Sequence, residues 1–195
     1  AYGLFIRPED VLHHGIQNIS RFDIQYAKEK GYRIKLMSVV KRLDNQELLI
    51  YVLPQFIDKD EPMHWVEYED NAVSVEAAFS DKQFFQGKGA GGHPTGSAVL
   101  SDISANSYQY KYEYKKLQQN LQLKYTTDVL LEVYLRFFDE KKLQHFDFEK
   151  ITERYTSKEY NYVVGQIKLS NLLKINDVLN TSDVLLVSTG KIIRD

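Results

Sequence analysis

The chain has 195 residues, of which 43% are hydrophobic and 27% are charged, and this composition supports one or two globular domains with an apolar core. Its 25 basic and 27 acidic residues give a formal net charge of −2, which excludes a broad basic surface for nucleic acid or an anionic membrane. The lack of cysteine excludes disulfides, thiol nucleophiles and thiolate metal sites, and no apolar run approaches the roughly 20 residues of a membrane-spanning helix.

Two short helices are predicted near the start of the chain. The first opens over residues 7–10, because proline and acidic residues suit the first turn of a helix, and it ends at Gly15. The second begins at Ser20, because Ser20 and Asp23 have the spacing of a capping box, and it ends at Gly31.

Strands and turns then lead to a glycine-rich loop. Alternating and apolar segments predict strands over 32–36, 48–53, 71–79 and 82–86, with turns over 44–45 and 80–81. Pro54 is predicted to end the second of these strands. After the loop, a helix is predicted from about Pro94.

The period of the sequence changes at Tyr108. From there to Tyr114 every second residue is a tyrosine and the residues between are polar, which predicts a strand over 108–115. Residues 117–127 are the best candidate for a domain boundary. Beyond them the predicted order is β-α-β-α-β, with strands over 129–138, 160–168 and 184–193 and helices over 143–155 and 170–179.

The glycine-rich loop reads Gly-Lys-Gly-Ala-Gly-Gly-His-Pro-Thr-Gly over residues 87–96. Its letters match the dinucleotide fingerprint, but that fingerprint needs a βαβ unit with an acidic residue after the second strand, and here a polar tyrosine-rich stretch follows. No Gly-Lys-Ser/Thr closes a P-loop. Two interpretations remain open: a tight turn that uses positive φ, or a loop whose bare backbone lets another surface come close. Five glycines exceed the needs of one turn and favour the second.

Residues 87–102 resemble the glycine loop and following helix of homoserine dehydrogenases. Other motifs of that family occur upstream in the family's order: Gly15-Ile16, Asp23 to Ala27, Gly31 to Leu36, Val52-Leu53-Pro54 and Asn71-Ala72-Val73. The resemblance covers about residues 3–105, and the ordered set of motifs makes it specific.

The resemblance implies an α+β chain. Residues 1–106 are expected to form the family's catalytic and dimerisation domain, a mixed or antiparallel sheet with helices on one face, incomplete at its N-terminus. The family's nucleotide-binding domain, substrate-holding carboxylates and acid/base lysine are expected upstream of Ala1, so no catalytic residue is assigned. In the family the loop approaches the nicotinamide end of NADP or NAD, and the matching cofactor-binding positions are Gly89, Ala90, Gly91 and Thr95.

The tail, residues 107–195, resembles an ACT-type regulatory domain, a ferredoxin-like unit found at the C-terminus of monofunctional homoserine dehydrogenases. The family's Asp-x-x-Gly turn, which binds an amino-acid effector, should fall near Asp139. No glycine follows at that place, so the tail is expected not to bind threonine. A packing or oligomerising role is at least as consistent with the residues.

The implied intact enzyme interconverts L-homoserine and L-aspartate 4-semialdehyde with NADP or NAD, in threonine and methionine biosynthesis. It is expected to be a cytoplasmic homodimer through the sheet domain, with a small-molecule substrate and neither nucleic acid nor membrane as a partner. This fragment alone is expected to be inactive. The alternative is a stand-alone dimerisation or amino-acid-sensing protein without catalysis.

Two other kinds of residue are candidates for chemistry. Lys88, next to a predicted helix start, could meet a cofactor phosphate, because the same helix terminus would attract an anion. The five histidines, which are His13, His14, His64, His93 and His145, lack the spacing of a zinc site. We therefore expect no metal, and histidines that are exposed or hydrogen-bonded.

Overall fold

The computed structural model describes residues 2–43, 46–111, 115, 119 and 122–194. Ala1–Asp58 and Lys115–Asp195 together form one compact unit, here called the sheet unit, and Lys59–Tyr114 form a second, here called the hairpin unit.

The sheet unit contains eight strands and three α-helices within the described residues. The strands are β1 (Leu12–His13), β2 (Tyr32–Arg42), β3 (Glu47–Asp58), β6 (Lys124–Tyr125), β7 (Leu130–Phe137), β8 (Phe148–Thr156), β9 (Asn161–Lys168) and β10 (Val184–Ile193), and the helices are α1 (Arg21–Glu29), α3 (Leu169–Lys174) and α4 (Asn176–Leu179). The labels β4, β5 and α2 belong to the hairpin unit.

Strand β3 organises the sheet. Along one edge it pairs antiparallel with β2, from Tyr32 opposite Asp58 to Arg42 opposite Leu48. It also pairs with three other strands, all parallel: β6 near Leu48, β1 at Tyr51 and β10 at Gln55. The principal strand order is β1-β3-β10-β7-β9-β8, so the strands of the tail continue the sheet begun by the first half of the chain.

Both faces of this sheet carry a core, because neighbouring residues of a strand point to opposite sides. One cluster contains Leu53, Val133 and Leu186, together with Leu172 of α3 and Leu179 of α4. The opposite cluster consists of Ala27 of α1 with Phe56, Tyr134, Tyr162, Val164, Leu185 and Val187. The prediction of a mixed α+β sheet is confirmed. The prediction of helices on one face is wrong, because apolar side chains on both sides of the central strands require cover from both.

The hairpin unit contains the antiparallel pair β4 (Asp70–Ala77) and β5 (Ser80–Lys88), followed by α2 (Gly92–Ser107). A 3₁₀ turn over Pro62–Trp65 precedes the hairpin. Nearly all side chains of the two strands and of α2 are exposed or half-buried. Within the described ranges, no helix has both the length and the apolar composition that crossing a bilayer requires.

The first half of the chain departs from the predicted elements in three places. The predicted turn over 80–81 lies in β5, and the hairpin turns at residues 78–79 instead. The predicted helix opening at 7–10 is a 3₁₀ turn, Pro8–Asp10, followed by β1. Strand β3 continues past Pro54, which lies opposite Leu36 and between the places where β1 and β10 pair with β3. A proline is tolerated where no neighbour needs its N–H. The capped helix from Ser20 is confirmed as α1, and the predicted turn 44–45 lies outside the described residues.

The predicted helix over 143–155 is wrong, since these residues form a 3₁₀ turn, Glu140–His145, and strand β8. Two register shifts interrupt the pairing of β8 with β9. They place Phe148 and Ile151, three residues apart, opposite Ile167 and Gly165, which are two residues apart. Bulges of this kind convert the period of a strand into an apparently helical spacing. The strands predicted at 129–138, 160–168 and 184–193 are confirmed, and the helix at 170–179 appears as α3 and α4.

The predicted tyrosine strand is also wrong for its described residues. Helix α2 ends at Ser107, and the N–H groups of Gln109 and Tyr110 then donate to the carbonyl groups of Asn106 and Ala105. Such bonds satisfy the last carbonyls of a helix. Residues 112–114 of the prediction lie outside the described residues.

The structure groups the chain differently from the predicted division into 1–106 and 107–195. Residues up to Asp58 share a sheet and two apolar clusters with the tail, while Lys59–Tyr114 form their own unit. Strand β10 lies between β3 and β7 and is hydrogen-bonded to both, so the first and last parts of the chain form one sheet. The catalytic, dimerisation and regulatory roles given to the two segments stay predictions.

Candidate functional site

The glycine loop connects a strand directly to a helix. Strand β5 ends at Lys88 and helix α2 begins at Gly92, so Gly89, Ala90 and Gly91 are the whole connection. All three are exposed. Thr95 lies in the first turn of α2, where its N–H donates to the carbonyl of Gly91 at 3.1 Å. The four residues predicted to bind the cofactor therefore lie together at one strand-to-helix junction.

One glycine of this junction is required by its backbone conformation, and a second lies close to a neighbouring side chain. Gly91 has a φ of 114° and a ψ of 159° as the residue that caps α2, a backbone conformation that is essentially restricted to glycine. At Gly89, an added Cβ would lie 1.7 Å from Nδ2 of the Asn71 side chain, which would have to move. The two interpretations of the loop both apply: one glycine supplies a positive φ, and another lets a neighbouring side chain come close.

An ion pair anchors the loop to the start of the hairpin. Lys88 Nζ lies 2.8 Å from Glu69 Oε1, and the N–H of Gly89 donates to the backbone carbonyl of Glu69 at 2.8 Å. The hydrogen bond from Lys88 lowers the pKa of the Glu69 carboxyl. Lys88 thus has a carboxylate partner, which weakens its candidacy for a cofactor phosphate.

Sequence reasoning missed Glu69, which contacts the loop from the residue before β4, and Asn71, whose side chain lies next to Gly89. The hairpin register sets Asp70 opposite Lys88 and Asn71 opposite Gly87. Asn71 and the adjacent Glu69 therefore lie beside the loop. The predicted turn over 80–81 would pair Lys88 with a residue three positions further along β4, because the strands in fact turn at residues 78–79. Each residue of an antiparallel pair has a defined partner only once the turn is placed correctly, so this neighbourhood was not available from the sequence.

The histidines are spread over different environments. His13 is exposed in β1, whereas His14 is 2% exposed and accepts a hydrogen bond from the backbone of Leu186. His64 is buried beside Trp65 in the hairpin unit, and His93 and His145 are exposed. Across the described part of the chain, no three His, Asp or Glu side chains are grouped so that they could hold a metal ion. The expectation of no metal stays a prediction.

The junction can bind a ligand through its backbone but carries little chemistry of its own. The first N–H groups of a helix have no partner within that helix, and they favour negative charge. An added Cβ at Gly92 would meet nothing within 4 Å, so a planar group can approach this backbone closely. The residues present therefore fit one end of a dinucleotide, which they would contact but could not oxidise or reduce.

Comparison with known proteins agrees with the resemblance drawn from the motifs. The family model described as homoserine dehydrogenase matches residues 1–104. The homoserine dehydrogenase of Helicobacter pylori is 39% identical over 104 residues, which are 53% of this chain and 24% of the relative. That of Bacillus subtilis is 28% identical over 167 residues, which are 83% of this chain and 38% of the relative.

Solved structures extend the likeness of fold into the tail. The homoserine dehydrogenase from Thiobacillus denitrificans matches with a TM-score of 0.62 and 21% identity, over 92% of this chain and 48% of that chain. The S. aureus homoserine dehydrogenase at pH 6.5 matches with a TM-score of 0.55 and 24% identity, over 96% and 49%. This chain spans about half the length of these solved proteins. The family model covers more than half of this chain, and the chain belongs to the homoserine dehydrogenase family.

Proposed function

We propose that this chain supplies part of a homoserine dehydrogenase that interconverts L-homoserine and L-aspartate 4-semialdehyde with NADP or NAD, a step of threonine and methionine biosynthesis. The observation that carries the proposal is the family match over residues 1–104, which includes the whole strand-loop-helix junction. The substrate is a small molecule, and the cytoplasm is the proposed location.

The proposed role of the glycine loop is to lie against the cofactor. When bound, the nicotinamide cofactor supplies hydride transfer. The loop contributes backbone N–H groups and a surface without side chains at Gly89, Gly91 and Gly92. Ala90 lies between two of these glycines, and Thr95 follows them in the first turn of α2. The hydrogen bond from the Gly89 N–H to the Glu69 carbonyl and the Lys88–Glu69 pair join the loop to the start of the hairpin. The acid/base and substrate-holding groups are proposed to come from sequence upstream of Ala1.

The first experiment is an assay of the purified chain. We expect no homoserine-dependent reduction of NADP or NAD at 340 nm, because the described loop holds no group placed to move a proton. A homoserine dehydrogenase of full length serves as the positive control under the same conditions. Measurable turnover by residues 1–195 would show that the catalytic groups lie within this chain.

The coding sequence upstream of Ala1 separates the proposal from its alternative, a stand-alone dimerisation or sensing protein without catalysis. An open frame that encodes a Rossmann glycine motif and the expected lysine would exclude the alternative. A stop codon followed by a start codon would exclude the proposal. The family match and the likeness to catalytic homologues favour the proposal.

A homodimer through the predicted dimerisation domain, residues 1–106, is proposed as the assembly. Leu36 and Val40 lie on one face of β2 and are 50% and 46% exposed, and burial of such apolar side chains between copies would be favourable. Light scattering after size exclusion should give the mass of a dimer for the chain. Leu36→Asp should shift it toward the monomer, whereas Glu149→Ala on β8 should not, and a monomeric parent chain would contradict this assembly.

A further inference from the structure

A buried ion pair joins the first helix of the sheet unit to its tail. Arg136 of β7 donates from Nε to Asp23 Oδ1 at 3.3 Å and from a terminal nitrogen to Oδ2 at 3.3 Å. Arg136 is 1% exposed and Asp23 is 0% exposed. The partners are 113 residues apart in sequence, so the pair connects the two separate chain segments of the sheet unit.

The Asp23 carboxylate is fully engaged from both segments. The backbone N–H and the hydroxyl of Ser20 donate to Oδ2 at 2.8 and 2.7 Å. The hydroxyl of Tyr134, on the same strand as Arg136, donates to Oδ1 at 3.0 Å. Such additional bonds are what a buried ion pair needs to offset the cost of removing both charges from water.

The rest of the Arg136 guanidinium reaches the turns on either side of the pair. It donates to the backbone carbonyl of Asp183 at 3.2 Å and to the backbone carbonyl of Asn18. Its Cζ atom lies 4.6 Å from the centre of the Phe138 ring. One side chain of β7 thus contacts α1, the loop before α1 and the turn before β10.

The loop before α1 is attached to the tail by its own side chains as well. Asn18 donates from Nδ2 to the carbonyl groups of Thr181 and Val184 at 2.7 and 2.9 Å. His14 accepts from the N–H of Leu186 at 3.3 Å. All of these groups surround the same end of β10, so the contacts between the segments form one connected set.

We propose that the buried Asp23–Arg136 pair locks the two chain segments of the sheet unit into a single cooperative folding unit, so that the tail does not open or move as a separate regulatory module. Moving the tail away would leave a carboxylate in α1 and a guanidinium in β7 without their partners. It would also expose the two apolar clusters, each of which contains residues from both segments. The cost of opening is therefore shared by the whole sheet unit.

Hydrogen exchange of the unmodified chain tests the lock first. The slowest amides of β3, β7 and β9 should exchange with the same protection and the same dependence on denaturant, because they open together. If the amides of β7 and β9 open with smaller protection than those of β3, the segments are separable and the proposal is wrong. This arm requires no variant to fold.

The variant arm replaces Arg136. Arg136→Met should lower the midpoint of thermal unfolding by roughly 6–20 °C, because loss of one partner leaves a buried charge. Exchange of the slowest amides in β3, β7 and β9 should rise by one common factor of about 100 or more. If Arg136→Met does not fold, Arg136→Lys keeps the charge without the planar fork and should show a smaller shift of the same kind.

A second ion pair between the same segments is the matched control. Lys30, the residue directly after α1, has its Nζ 3.4 Å from a carboxylate oxygen of Glu153 in β8, and both side chains are substantially exposed (46% and 35%). Lys30→Met should shift the midpoint by no more than a few degrees, because exposed pairs contribute little. An equal effect of Lys30→Met and Arg136→Met would overturn the proposal, as would faster exchange confined to β7.

Discussion

The imidazole of His14 accepts a hydrogen bond from the backbone N–H of Leu186, 172 residues further along the chain, at 3.3 Å. The backbone N–H of His14 donates to the carbonyl of Val52 at 2.9 Å, so the residue bridges β3 and β10. Nδ1 is buried and has no hydrogen-bond partner among the residues that the structure describes. Acceptance at Nε2 requires the neutral ring in this position.

This environment makes the stability of the chain sensitive to acid. Burial, and then the positive charge of Arg136, lower the pKa of His14 to about 4 from 6.5. Between these values the unfolded chain binds more protons than the folded chain, so the free energy of unfolding falls as the pH falls from 6.5 to 4. The expected loss from this residue is about 3 kcal/mol. Urea unfolding at pH 7, 5.5 and 4.5 measures it.

Variants of two neighbouring histidines separate the contribution of His14 to the pH dependence of stability from that of the carboxylates. His14→Gln should flatten the pH dependence between 6.5 and 4, since glutamine can accept the Leu186 bond without titrating. His13→Gln, at an exposed neighbouring position, should keep the slope of the parent chain. Equal slopes for the parent chain and for His14→Gln would contradict the assignment.

Gly91 should not tolerate a side chain. Gly91→Ala places Cβ in a backbone conformation with a φ of 114°, which costs about 1–3 kcal/mol, and should raise amide exchange over residues 89–95. The matched control is Gly96→Ala within α2, where an added Cβ meets nothing within 4 Å and alanine favours the helix. In a homoserine dehydrogenase of full length, the Gly91 change should also raise the KM for the cofactor. If the amides of residues 89–95 exchange equally fast in Gly91→Ala and Gly96→Ala, glycine is not required at position 91.

Gly165 of β9 lies opposite the bulged strand β8, which leaves no room for a side chain at this position. An added Cβ there would lie 2.6 Å from the carbonyl oxygen of Lys150 and 2.8 Å from the Phe148 ring. Gly165→Ala should therefore lower the free energy of unfolding by about 1–3 kcal/mol, the usual cost of overpacking, as measured by urea unfolding with far-ultraviolet circular dichroism. Gly87→Ala, a strand position with open space around the added Cβ, is the control and should change it little.

The tail should not bind threonine. Asp139 Oδ1 accepts from the N–H of Lys141 at 2.9 Å and caps the turn Glu140–His145, so this amide is already used inside the protein. Isothermal titration of the chain with threonine should give only the heat of dilution, equal to that of glycine titrated as a control. A dissociation constant in the micromolar range would overturn the expectation.

Local interactions explain which elements could be predicted. Ser20 and Asp23 cap the start of α1 over a distance of three residues, and Gly31 follows the helix with a φ of 78°. Both ends of the helix could therefore be predicted from the local sequence. β8 was not, because its two bulges depend on the register against β9. The glycine loop was recognised from its motif. The position of Asn71 and Glu69 beside the loop became known only from the pairing of β4 with β5.

The family, the strand-loop-helix junction and most of the strands could be predicted from the chain of amino acids, because these depend on ordered motifs and on contacts between near neighbours. The continuation of the first sheet into the tail, and the cover of both of its faces by helices, became known from the three-dimensional fold alone. Asp23 shows the reason: its bond to Ser20 spans three residues and could be foreseen, whereas its bond to Arg136 spans 113. Nothing near either residue in the sequence specifies that second partner, which the packing of β7 beneath α1 provides.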